Sequence, residues 1–538
     1  MNTLFFGDCL EIIREHLPDE SVDLIYLDPP FNSNRDYNLL FKTPKGHAVD
    51  AQITAFEDSW QWGKQAEQEF DAILHQPRTE VAELMLSLRR FLRENDMLAY
   101  LTMMATRLLQ LHRVLRENGS LYLHCDLTVS HYLKLVLDTI FGPINYRNEI
   151  TWKRTSAHAN MGKKYASVQD RLLFYTKSSV WKWTQPYLPY SESYIKSHYG
   201  QVEPDSGRYF TTRDLTAPMQ RASKGQLYEW QGIRPPSSRC WAYSQDKMEK
   251  FEQEGRIVYS NRGMPRLKLY LEEMPGTPLD DIWIDLAPIN SQATERLGYP
   301  TQKPLALLER IIQASSHEGD VVLDPFCGCG TAVHAAQKLG RKWIGIDITH
   351  LAISIIEQRI KNAFPGIIFD VQGVPKDLAS AQDLARRDKY QFQWWACSLV
   401  NAQPYQGKKK GADSGIDGLL YFRDDSGLAK KIIISVKGGE NISVSMIRDL
   451  KGVLEREKAQ IGLFVTLTPP TPPMTKEAIT AGYYASPLLG SWPRLQILTV
   501  EGLLTHTERA LYPDLSRGGE TFKQAKVENV DHKQDRLL

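Results

Sequence analysis

The sequence predicts an α/β protein: a parallel sheet with crossover helices, interrupted by a long irregular stretch, and a second, smaller α/β unit after it. Three observations carry this reading. Short apolar runs alternate with helical patterns over residues 1 to about 150, which is how strands and crossover helices read. The alternation stops between about 153 and 295 and returns over 305 to 370. Two strand-like runs end in Pro- or Gly-bearing turns, Asp28-Pro29-Pro30-Phe31 and Asp324-Pro325-Phe326-Cys327-Gly328-Cys329-Gly330-Thr331. Open α/β sheets bind ligands at the carboxyl ends of such strands.

In chain order, Leu4-Phe5-Phe6 and Leu24 to Leu27 read as strands, with Leu10 to His16 as a helix between them. Residues 36 to 90 read as a polar, aromatic-dotted insertion containing Trp60 and Trp62. Met97 to Leu115 has helical spacing; Asn118-Gly119 breaks it before the strand Ser120 to His124. From 153 to 295, Lys and Arg mix with aromatics, among them Lys153, Arg154, Trp181, Trp183, Tyr209, Trp230 and Trp241. This stretch is expected to be a recognition region. Helix Leu305 to Ser315, strand Val321 to Leu323, helix Thr331 to Leu339, strand Trp343 to Asp347 and helix Leu351 to Asn362 follow. The expected boundaries are 1–152 and 296–370 for the two halves of the first domain, with 153–295 inserted between them. A charged linker at 371–390, a second domain at 391–510 and a frayed polar tail at 511–538 complete the plan.

At 538 residues the chain is long enough for two to four cores. Its 42% hydrophobic content excludes a disordered protein. A net charge of +1 means that any nucleic-acid surface must be local rather than global. The six cysteines include no C-x-x-C pair, which disfavours a zinc knuckle and suits free thiols in a reducing, cytoplasmic setting. No signal peptide and no membrane span are expected.

In the later turn, Gly328 and Gly330 remove side chains where a ligand must pass close to backbone. The helix opening at Thr331 offers N–H groups and a positive dipole end, suited to the carboxylate of a methionine moiety. The next strand ends at Asp347, placed to accept from ribose hydroxyls. Upstream, in Tyr299-Pro300-Thr301-Gln302-Lys303-Pro304, Thr301 and Lys303 can reach the cofactor's amino-acid end. The expected cofactor is S-adenosyl-L-methionine. The earlier turn suits a planar amine. Asp28 accepts one N–H, the Pro29 carbonyl another, and Pro29 and Pro30 stiffen the turn and remove competing donors. Phe31 offers a stacking face. Together the turns read as methyl transfer to the amino group of a DNA base, flipped from double-stranded DNA.

These residues resemble the amino-methyltransferases of restriction-modification systems, in the permuted β-type order: target-amine motif first, recognition region in the middle, cofactor motif late. The resemblance covers residues 1 to about 370, through Gly7-Asp8-Cys9-Leu10, Asp28 to Phe31, Asn148 to Trp152, Thr301 to Pro304, and Asp324 to Thr331 with Asp347. It implies a modified Rossmann-like, S-adenosylmethionine-dependent fold with an inserted target-recognition region. Asp8 would lie near the cofactor's adenine, and Asp324, Phe326, Gly328, Gly330 and Asp347 would hold the cofactor. Asp rather than Ser at position 28 looks more like adenine N6 than cytosine N4 methylation, and cytosine N4 stays open. An RNA or protein amino-methyltransferase and a non-catalytic DNA-binding protein are the rival readings. A homodimer and a separate restriction subunit are both open as partners.

In the second unit, Gly411 to Gly418 precedes strands Leu419 to Phe422 and Ile432 to Lys437, a helix from Ser445 to Lys458 and a strand Ile461 to Thr466. Asp417 and Lys437 should meet across the hairpin and, if the unit is an active nuclease, bind Mg²⁺ there. The unit resembles the Mrr-like branch of PD-(D/E)XK nucleases, a restriction-endonuclease-like α/β domain. It departs at Ser435, where that family carries Glu or Gln. A domain that binds DNA without cutting it stays open.

Overall fold

The computed structural model describes all residues except 1, 31–35, 43–47, 58–60, 157–162, 164, 222–224, 291, 292, 294, 298, 300, 406–414, 426, 517–520, 522–526 and 529–538. A nine-stranded sheet forms the first domain. Its strands are β1 (Thr3–Phe6), β2 (Val22–Leu27), β3 (Leu115–Cys125), β4 (Tyr146–Lys153), β5 (Gln169–Thr176), β6 (Ile282–Trp283), β7 (Val321–Asp324), β8 (Lys342–Asp347) and β9 (Asp370–Gln372). Their order across the sheet is β6-β4-β5-β3-β2-β7-β8-β1-β9. Strands β3, β2, β7, β8, β1 and β9 run parallel, and β5 is antiparallel to both β3 and β4. All six residues of β2 are buried, as a strand covered on both faces requires.

The helices of this domain are α1 (Cys9–His16), α2 (Lys64–Leu74), α3 (Thr79–Leu92), α4 (Asp96–Val114), α5 (Ser130–Phe141), α6 (Leu305–Ser315), α7 (Thr331–Lys338) and α8 (His350–Ala363). Their starts are written in the sequence: Asp8 caps α1, Asn95 caps α4 and Thr349 caps α8, each accepting from a first-turn amide. The expected polar insertion at 36–90 is corrected over its second half. Phe70, Ile73, Val81, Met85 and Leu88 on α2 and α3 are buried in the main core. Their helical spacing hid among charged neighbours.

The recognition boundary also moves. Residues 153–184 belong with the sheet, and Gln185–Asp280 forms the second compact unit. Strand β5 supplies two ladders of the main sheet, so the insert begins after it. Within the second unit a four-stranded antiparallel sheet packs a core containing Trp230, Trp241, Met248 and Leu267. The aromatics expected on a recognition surface therefore include two that hold the unit together.

The second domain has a five-stranded sheet of β10 (Gln403–Pro404), β11 (Gly418–Phe422), β12 (Lys430–Lys437), β13 (Ile461–Thr466) and β14 (Leu495–Thr499), in that spatial order. Helices α9 (Leu378–Arg387) and α10 (Lys389–Leu399) cover one face, and α11 (Val444–Arg456) covers the other. The expected linker at 371–390 is thus corrected: α9 occupies most of it, opened by a reciprocal capping box between Asp377 and Ser380. Its Ala381, Leu384 and Ala385 are core residues. The tail is not wholly frayed. Thr521 is buried and exchanges hydrogen bonds with the Tyr421 backbone, and the Glu528 carboxylate pairs with Lys338. All six cysteines are unpaired. Among the described residues no helix is long and apolar enough to cross a membrane.

Candidate active site

The register of the parallel strands brings the two turns together. Leu24 and Ile25 of β2 lie opposite Val322 and Leu323 of β7, Asp324 lies opposite Gly345, and Phe6 lies opposite Asp347. Asp28, Asp324, Asp347 and Asp8 therefore leave the carboxyl ends of four adjacent strands. Pro29 is buried and Pro30 partly so, while Phe31 lies outside the described residues.

The glycines of the later turn are required by backbone and packing. Gly328 and Gly330 have φ of +50° and +74°, where a side chain is strained. A Cβ on Gly328 would meet the Tyr299 ring at 3.2 Å, and one on Gly330 would meet Ile356 Cγ1 at 2.8 Å. Protein, rather than the open face of the site, fills the space that these glycines leave. The turn uses its own donors: Phe326 N donates to Asp324 Oδ1 (3.1 Å), Cys327 N to Ile346 O (3.0 Å) and Gly328 N to Asp347 Oδ2 (2.9 Å). Beneath it the buried Arg359 donates through Nη1 to Cys329 O (3.0 Å) and to Thr331 Oγ1 (3.2 Å).

Asp347 Oδ1 accepts from Thr349 N and Oγ1, both at 2.9 Å, and Oδ2 accepts from Gly328 N at 2.9 Å. Burial pushes its carboxyl up to about 6, against these hydrogen bonds. Burial, with repulsion from Asp28 and Asp347, also raises Asp324 well above the usual carboxylate range. Asp8 pairs with the buried Arg107 through Nη2 at 2.7 and 3.0 Å while capping α1. It sits at the site's edge, held by its own helix.

Lys303 reaches the earlier turn: its ammonium lies 2.5 Å from Asp28 Oδ2. Thr301 contributes its carbonyl, 3.4 Å from the same ammonium. A buried network behind Asp28 was not anticipated: Tyr26 Oη bonds His124 Nδ1 at 3.0 Å, and His124 Nε2 bonds Asp170 Oδ2 at 3.2 Å. Its three members come from β2, β3 and β5, so local sequence carries no signal for it beyond Tyr26 standing two residues before Asp28.

In the second domain Gly418 lies opposite Ile434, which puts Asp417 beside Ser435 and one pleat from Lys437. Asp417 Oδ1 accepts from Gln393 Nε2 and Oδ2 from Val436 N, both at 2.6 Å. Among the described residues no three His, Cys, Asp or Glu side chains converge on a point.

One helix serves both sites. Trp394 of α10 is buried against Tyr299, Cys329 and Leu351 around the glycine turn, and Gln391 Oε1 accepts from His350 N at 3.2 Å. Gln393, on the same helix, makes the Asp417 contact described above.

The DNA methylase family model matches residues 22–358. The chain belongs to this DNA methylase family. A restriction endonuclease model matches residues 384–483. The chain is 34% identical over 263 residues to the type II methyltransferase M.EcaI of Enterobacter cloacae, covering 48% of this chain and 57% of that protein. It is 25% identical over 357 residues to the Mod subunit of the type III restriction-modification enzyme StyLTI of Salmonella typhimurium, covering 63% and 50%. It is 24% identical over 346 residues to the DNA adenine methyltransferase YhdJ of Escherichia coli, covering 64% and 78%. The chain thus spans little more than half the length of the first two of these relatives.

Proposed function

We propose that this protein transfers a methyl group from S-adenosylmethionine to the exocyclic amine of a base in double-stranded DNA, with adenine N6 as the target, in a restriction-modification setting. The observation that carries it is the placement of Asp28 and the Asp324–Thr331 turn at the ends of adjacent strands, where this fold class binds ligands. The donor set suits the cofactor: Asp347 for ribose hydroxyls and the α7 N-terminus for a carboxylate. When bound, the cofactor supplies an electrophilic methyl on sulfonium.

The chain's own groups do the rest. Asp28 and the Pro29 carbonyl accept the two N–H groups of the amine and draw its lone pair out of conjugation. Alignment, rather than a strong base, then dominates the rate, because the nitrogen sheds its proton after transfer. The Tyr26–His124–Asp170 network braces the strand end that carries Asp28. Adenine is favoured by Asp at position 28 and by the name of the Escherichia coli relative. The type III Mod relative supports the restriction-modification setting. No metal step and no cleavage are assigned to the second domain, whose Asp417, Ser435 and Lys437 share one strand pair.

Labelled methyl transfer to DNA, RNA and protein substrates tests the reading. Label is expected on DNA alone; label only on RNA or protein would reject it. Asp28→Ala is expected to abolish transfer while S-adenosylhomocysteine binding survives, and loss of both together would mean the site is misassigned. Modification-calling sequencing of DNA from an expressing host gives the target base and its site.

A further inference from the structure

The Lys303 ammonium occupies the acceptor that the proposed function reserves for the target amine. It is buried and lies 2.5 Å from Asp28 Oδ2. Its charge also acts on Asp170 and Asp324. It is therefore a cation near three carboxylates, one of which, Asp170, also pairs with Arg154 at 3.0 Å. A lysine ammonium has three N–H donors and no acceptor, so toward Asp28 it presents the same kind of group as an exocyclic amine. A base amine must compete with this charged donor for Oδ2, although a carboxylate oxygen can accept more than one N–H. The side chain that competes for the position is also one that can leave it. Lysine is a point charge on a flexible four-carbon stem, and a second anion beside it would compete with Asp28. On the proposed reading, the methionine carboxylate of the cofactor, held at the α7 N-terminus, would be such an anion.

We propose that Lys303 is a positioning residue that fills the amine acceptor until the cofactor's carboxylate draws it away, so that cofactor binds first and the flipped base second. The inference rests on the proposed reading of the two turns. No covalent step is involved: Lys303 keeps its protons and exchanges one carboxylate partner for another. By linkage, the cofactor's carboxylate must tighten base capture by the same factor as base capture tightens cofactor binding.

The test uses full-length protein and a duplex with 2-aminopurine at the target position, whose fluorescence rises on extrusion. Two ligands are compared: S-adenosylhomocysteine, which carries the amino-acid tail, and 5′-methylthioadenosine, which lacks it. In the wild type, extrusion is expected to be about tenfold tighter with the first ligand than with the second, within the usual range of coupling between sites. Lys303→Met should show extrusion of similar affinity with either ligand and with none. Lys303→Gln, which preserves a neutral donor and guards against a folding defect, should likewise lose the dependence on the tail. Equal response of the wild type to both ligands, or an intact tenfold difference in both variants, would overturn the proposal. Calorimetry separates the levels. If S-adenosylhomocysteine does not bind, the methyl-transfer reading falls and takes this inference with it. If it binds but the tail makes no difference, the inference falls alone.

Discussion

Gly330→Ala is the sharpest structural test of the cofactor turn. The residue has φ of +74°, and its absent Cβ would sit 2.8 Å from Ile356 Cγ1 and 3.1 Å from Cγ2. Holding alanine in the left-handed region costs about 1–2 kcal/mol. Forcing a methyl group into a packed contact costs about 1–3 kcal/mol more. The expected loss is therefore about 2–5 kcal/mol, the sum of those two effects. Urea denaturation measures it, with S-adenosylhomocysteine calorimetry as a second readout. The two costs separate in a double-mutant cycle. Ile356→Ala alone costs about 2–5 kcal/mol by opening a cavity. In Gly330→Ala/Ile356→Ala the added methyl finds room, so the pair should be less destabilised than the sum of the singles by about 1–3 kcal/mol. The backbone term stays. A loss below about 0.5 kcal/mol in the single variant, the size expected of a featureless surface site, would refute the reasoning, and strict additivity would refute the clash.

Asp347 gives a pH signature. Its folded value of about 6 lies above its unfolded value of 3.8, so its favourable contribution is complete below about pH 4 and is lost as pH rises through 6. Asp347→Asn should therefore gain stability relative to wild type between pH 4 and 7, by roughly 2–3 kcal/mol at most, and lose cofactor affinity throughout; a pH-independent difference in urea unfolding would contradict the assignment. Trp394→Ala should cost about 3–5 kcal/mol and weaken S-adenosylhomocysteine binding, because the indole lies against Tyr299 and Cys329; unchanged binding by calorimetry would argue against the contact. Asp417→Asn should leave methyl transfer at the wild-type level, since Asp417 contacts Gln393 of α10 and Val436 N in the second domain; an equal loss of transfer would refute separate sites.

Much of this was legible because it is local. Helix Leu305–Ser315 and strand Ile461–Thr466 fall where apolar spacing puts them, and the two turns stand at strand ends because Pro and Gly end strands for reasons visible in four residues. What escaped is of two kinds. Helix α9 is short, and its buried stripe of Ala381, Leu384 and Ala385 is too thin to stand out from a linker. Strand β5 has irregular neighbours on its far side and reads as part of them. The site's other surprises depend on distant pairs. Lys303 and Asp28 are 275 positions apart, and no spacing rule connects them. The network of Tyr26, His124 and Asp170 exists only once three strands lie side by side. Ser435 is the reverse case, a departure visible in the sequence alone.

The placement of α10 binds the fates of the two domains. Remove everything after residue 388 and Tyr299, Cys329 and Leu351 lose their indole neighbour, while His350 N loses its amide acceptor. The remaining half would then emerge with a wet patch beside its own glycine loop. A modular swap of the rear domain meets the same demand: any replacement must bring an aromatic ring of similar depth to that spot. Each change along this helix is thus judged by two domains at once.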